Sequence, residues 1–121
     1  MKADAQTLLS QLSQFTGTER YYRIGPRYLL TDGAMFLAQN AECFWMFDAI
    51  ASHLSEIGTN DWFVLVRMEV CDERAIMYYE DGNGHEHARQ AIPYTDFPLP
   101  SVSIYAVFDS EHWVLMLPSE Y

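Results

Sequence analysis

The sequence predicts an α+β domain, with two to three N-terminal helices packed on a four- to five-stranded antiparallel meander sheet. Three observations carry that prediction. Up to residue 58 the apolar side chains recur at helical spacing. From Trp62 onward the period changes to two. Turn residues at Asp72-Glu73-Arg74, Asp81-Gly82-Asn83-Gly84 and Asp109-Ser110 then cut the second half into short strands.

The elements follow in order. Leu8, Leu12 and Phe15 fall at i, i+4 and i+7, so residues 4–15 read as a short amphipathic helix that Gly17 stops. In ERYYRIGPRYLL, aromatics and arginines alternate around a Gly25-Pro26 turn, giving two short extended pieces, either on the sheet edge or in an exposed loop. Residues 31–54 are the longest apolar-periodic run. Thr31 is placed to cap its start, and Asp32 to meet the positive end of the helix dipole. Ala34, Leu37, Ala38 and Ala41 share one face; from Cys43 on, Met46, Phe47, Ile50, Ala51, Leu54 and Ile57 form a wide stripe. Phe44 and Trp45 fall outside the stripe, so this part is expected to be covered on more than one side. Asp48, Ser52, Ser55 and Glu56 make the polar strip. The pattern leaves open whether one helix runs through or Asn40 divides two; Gly58 ends it.

In the strand half, Val64, Val66, Met68 and Val70 share one face, with Arg67 and Glu69 on the other. AIMYYE returns, the Asp81–Gly84 turn follows, and a third strand covers roughly residues 85–92. Pro93, Pro98 and Pro100 mark an irregular connection. SVSIYAVF is expected to bury Val102, Ile104, Ala106 and Phe108, and HWVLML closes the sheet before Pro118.

At 121 residues, half of them apolar and 15% aromatic, the chain is expected to be a single compact domain with its own core. No apolar run reaches the roughly 18 residues of a membrane span, and MKADAQTLL lacks the apolar segment of a signal peptide. Cys43 and Cys71 read as buried free thiols, and the expected location is the cytoplasm. Charge is the unusual feature. Seventeen acids against seven bases give −10; residues 1–27 carry +2 and residues 28–121 carry −12. Such a body argues against direct nucleic-acid binding, which needs Lys and Arg, and against anionic membranes. It suits docking on a basic protein surface.

Candidate chemistry is sparse. His85 and His87 fall on one face of a strand, within reach of one metal, but spacing marks no third ligand; a solvated hairpin end explains them as well. Asp48, on an apolar helix, would serve as a general acid if buried beside His53, His85, His87 or a tyrosine; otherwise it fixes packing through hydrogen bonds. Cys43 and His53 lie ten residues apart on one helix and point in different directions. No catalytic residue, metal or cofactor is therefore assigned.

Two surfaces stand out for partner binding. Arg20, Tyr22, Arg23 and Arg27 are of the types that dominate binding hot spots, although the arginines would equally pair with the protein's own acids. Glu69, Asp72, Glu73, Glu80, Asp81 and Glu86 would form a negative face able to imitate a phosphate track, or an ordinary solubilising surface.

Phe15-Thr16-Gly17-Thr18-Glu19, Thr31-Asp32-Gly33, Trp45 with Asp48 and Ile50-Ala51-Ser52, Asp81-Gly82-Asn83-Gly84, Tyr94 to Leu99 and Leu117-Pro118-Ser119-Glu120-Tyr121 follow one another along nearly the whole chain. Together they resemble a family of small bacterial domains of unknown function, often met in phages, plasmids and other mobile elements. The resemblance implies one compact domain and a mobile-element context, and transfers no catalytic residue. The expected function is accordingly a non-enzymatic, anti-CRISPR-like inhibitor or nucleic-acid mimic that binds a CRISPR or other defence effector. A small hydrolase using Asp48 and a homodimerisation module are the alternatives.

Overall fold

The computed structural model describes residues 4–121. Lys2 and the first residues of MKADAQTLL, used in the charge and signal-peptide arguments, lie outside them. Helix α1 spans Ala5–Leu12, strands β1 and β2 Tyr22–Gly25 and Tyr28–Leu30, and helices α2 and α3 Asp32–Asn40 and Phe44–Ile57. Strands β3 to β7 follow at Phe63–Cys71, Arg74–Glu80, Glu86–Ile92, Ser101–Phe108 and Trp113–Met116, and a 3-10 turn covers Pro118–Glu120.

The α+β class holds, and the sheet is larger than the sequence suggests. It has seven strands in the order β1-β2-β7-β6-β3-β4-β5. The two pieces around Gly25-Pro26 are not a loop: they form a hairpin, and β2 joins β7 in parallel. That pair makes the sheet mixed rather than antiparallel throughout. Nor is the rest a plain meander. β6 returns beside β3 instead of β5, which gives β6-β3-β4-β5 the Greek-key order. Residues 93–100 make the crossing possible. Thr95 N bonds Glu73 O at 2.8 Å, Val70 N bonds Pro100 O at 2.8 Å, and Phe97 and Leu99 are buried under the return.

The helical run is divided. α2 ends at Asn40, Glu42 takes a positive φ of 51°, and α3 starts after the buried Cys43. Thr31 caps α2 with its hydroxyl on Ala34 N, and Gly58, at φ 83°, ends α3. Met46, Phe47, Ile50 and Leu54 are sealed in the core against Val64, Val66, Met68, Met77 and Ile104. The expected cover on more than one side fails at Phe44, which is 43% exposed, because the helices form the outer layer of the described residues. His53 stacks on buried Tyr79 of β4, ring centroids 4.4 Å apart, and burial pushes the Tyr79 hydroxyl far above its ordinary pKa. Of the two thiols only Cys43 is buried; Cys71, at the last position of β3, is exposed.

Candidate functional site

Alternation on the strands sends one set of side chains to the helices and the other to a face that carries no helix. On β3 the core set is Val64, Val66 and Met68, and the outward set is Phe63, Leu65, Arg67 and Glu69. Register aligns the outward set with its neighbours. Arg67 of β3, Tyr78 of β4 and Arg89 of β5 fall in one row. The two guanidinium carbons lie 4.2 and 4.8 Å from the Tyr78 ring centroid, a paired cation–π stack.

The same arginines hold three of the six hairpin acids. Arg67 pairs with Glu69 and, at 3.6 Å, with Glu80; Arg89 pairs with Glu86 at 3.0 Å. Asp72 and Glu73 form the β3–β4 turn, whereas Asp81 belongs to the β4–β5 turn at the other end of a seven-residue strand, roughly 20 Å away. Asp81 accepts hydrogen bonds from Asn83 N and His85 N, at 2.7 and 3.0 Å, and the Asn83 bond above all holds its carboxyl below the usual range. The structure therefore sets Asp72 and Glu73 at one end of β4 and Asp81 at the other, and pairs Glu69, Glu80 and Glu86 with arginines. It leaves Asp48 and Glu56 on the solvent side of α3, with no arginine partner among the described residues.

Aromatic side chains gather between these features. Phe63, Tyr105 and Tyr121 form a triangle of edge-packed rings with centroids 5.0 to 5.6 Å apart, and Trp62 lies 5.9 Å from Phe63. Trp62 is 57% and Tyr121 64% exposed. Carboxylates flank Trp62. Asp61 precedes it, with Oδ1 accepting from Phe63 N and Oδ2 3.0 Å from His87 Nε2. The Trp62 carbonyl accepts from Phe108 N, which sets the ring's backbone beside the β6–β7 turn and Asp109. His112 N, chiefly, and Glu111 N donate to Asp109 and hold its carboxyl below the usual range. Farther along the same face, by the β3–β4 turn, is a half-open concavity of about 850 Å³ with Ile76 and Ala91 in its lining and Arg67, Arg74 and Tyr78 beside them.

Tyr22 is half-buried and donates to Asp32 Oδ1 at 3.1 Å. Glu19 N donates to Asp32 Oδ2 at 2.9 Å, and Thr18 Oγ1 accepts from Asp32 N at 2.8 Å, so this part of the segment is architecture. Arg20, Arg23 and Arg27 are exposed, and among the described residues no carboxylate pairs with them; Arg23 donates to Pro26 O at 3.0 Å. His87 is held by Asp61 and His85 packs on its edge, and no cluster of three metal-ligating side chains occurs among the described residues. Asp48 is exposed, and no described hydrogen bond joins it to a histidine or tyrosine.

The sequence pattern does not single out Trp62, Phe63, Tyr105 and Tyr121 as a group. Its available signal was β3 itself, where Phe63 and Leu65 make the supposedly polar face apolar as well.

These features define a two-layer α+β domain with one sheet face bare and aromatic. The chain belongs to DUF6876, a family of unknown function whose sequence profile matches residues 6–121. No match was found among curated proteins or among solved structures.

Proposed function

We propose that this protein is a non-enzymatic binding module that docks its bare sheet face on a basic protein partner. The observation that carries the reading is the aromatic group of Trp62, Phe63, Tyr105 and Tyr121, with Trp62 and Tyr121 exposed, on a molecule of net charge −10. Exposed aromatics supply contact area at low entropic cost, and the charge steers a cationic surface toward them. In its narrower form, the partner is a nucleic-acid-handling defence complex of a bacterial host, such as a CRISPR effector, and the protein is a phage or mobile-element product that occupies its basic channel. Support for this form comes from the charge and from the resemblance in sequence.

The test is DNA binding by a panel of CRISPR and restriction effectors, with and without the purified protein. Inhibition that is lost in Tyr121→Ala and Trp62→Ala supports the reading. Inhibition that survives both but is lost on reversing Glu73 and Asp81 would move the site to the turns. No inhibition of any effector removes the narrower form.

A further inference from the structure

The chemistry beside the rings identifies what part of a basic partner they would hold. We propose that the Trp62–Phe63–Tyr105–Tyr121 cluster is a reader of arginine side chains in an extended basic segment of the partner, an inference that rests on the docking role given above. Three independent features converge on it. First, Trp62 and Tyr121 present ring surface to solvent, and an aromatic face attracts a cation through its quadrupole. Second, acids neighbour the rings: Asp61 precedes Trp62 and its carboxylate accepts from Phe63 N, and Asp109 follows Phe108, whose N–H bonds the Trp62 carbonyl. Their negative charge favours a cation laid on the Trp62 ring. Third, the same sheet face already carries this arrangement internally, since Arg67 and Arg89 stack on Tyr78 while pairing with Glu69, Glu80 and Glu86.

Arginine fits better than lysine because its planar fork stacks and donates at the same time, whereas an ammonium is a strongly hydrated point charge. An extended segment suits the surface better than a helix. Side chains on a strand repeat on one side every second residue, about 7 Å apart, so alternate residues of the segment meet the ringed face.

The experiment titrates the intact protein with three short peptides of equal length, one arginine-rich, one with lysine at those positions and one with citrulline, at physiological ionic strength. The expected order is arginine above lysine, with citrulline at background. Trp62→Ala and Tyr121→Ala should each weaken the arginine peptide about three- to tenfold, and Trp62→Phe should recover part of the loss. Asp48→Asn with Glu56→Gln, on the opposite face, should change it less than about twofold, because charges beyond the Debye length are screened. Three results would overturn the inference: equal binding of arginine and citrulline peptides, loss in the α3 variant with Trp62→Ala unaffected, or no binding of the arginine peptide. If the peptide fails while an effector is still inhibited, arginine reading falls and the docking role stands.

Discussion

Glu120 and Gly33, 87 positions apart in sequence, share one hydrogen bond and one small volume of space. Gly33 N donates to Glu120 Oε2 at 2.9 Å, and a Cβ on residue 33 would lie 2.6 Å from Glu120 Oε1 and 2.7 Å from Leu117 Cδ1. Oε1 also accepts from Thr31 Oγ1 at 2.6 Å and Leu117 N at 3.0 Å. One carboxylate thus closes the 3-10 turn and stabilises the positive end of α2. The parallel β2–β7 pair lies beside this junction, with Thr31 N bonded to Leu115 O.

Gly33→Ala should destabilise the fold by about 2 kcal/mol, since overpacking against Glu120 and Leu117 outweighs the roughly 1 kcal/mol that alanine gains in a helix. Glu120→Ala should cost about 2 kcal/mol by leaving charged hydrogen bonds unmade. The two should couple: with the carboxylate gone, the alanine at 33 meets less obstruction and its cost shrinks. Urea denaturation of the four proteins in the cycle measures this, and additive costs would contradict the shared space.

Asp32 sets the direction of the acid response. Its carboxyl is held below 3.8, mainly by Glu19 N–H and then by Tyr22 and Thr18. Asp81 and Asp109 are lowered by backbone N–H groups in the same way. A folded pKa below the unfolded one means the stabilisation is complete above about pH 4, then lost as pH falls through the lowered values. Asp32→Asn should lower stability at neutral pH and make the acid limb shallower. Denaturation midpoints from about pH 7 to about pH 3 check it; a wild-type midpoint that rises on acidification contradicts it.

The β3–β4 hairpin turns on two left-handed residues, Asp72 at φ 53° and Glu73 at φ 61°. That pair of dihedrals suits Asp-Gly far better than Asp-Glu. Glu73→Gly should therefore stabilise the protein by about 1 kcal/mol, read as an upward shift in melting temperature. A loss of stability would show that the Glu73 side chain makes a contribution larger than its backbone strain.

The thiols should titrate separately. Cys71 is exposed and Cys43 is sealed, so an aromatic disulfide reagent should modify Cys71 in the native protein and reach Cys43 only on unfolding. Peptide mapping of the labelled protein identifies the site; native labelling at Cys43 would contradict the packing of the α2–α3 junction.

Much of this architecture is visible in the residues. Thr31 as cap, Gly58 as stop, the Asp81–Gly84 turn and the alternation of Val64, Val66 and Met68 are local signals, and the structure follows each. What the sequence hides is long-range. Nothing in Tyr28–Leu30 announces a parallel partner more than eighty residues later, and nothing in Ser101–Phe108 says that β6 passes β5 to pair with β3. The resembling segments make sense in the same light. Thr18, Glu19, Asp32, Gly33 and Glu120 meet at the start of α2, and Thr95 and Phe97 hold the crossover, so these pieces build the fold. The aromatic face was hidden for a further reason: Trp62, Phe63, Tyr105 and Tyr121 come from separated positions, and only the completed sheet brings them together.

The most direct measurement is amide chemical-shift mapping of the isotope-labelled protein with the unlabelled arginine-rich peptide. The account predicts shifts concentrated at residues 61–65, 105–109 and 121, with residues 48–56 of α3 undisturbed. Shifts centred on α3, or on Arg20, Arg23 and Arg27, would contradict the sheet face as the docking surface.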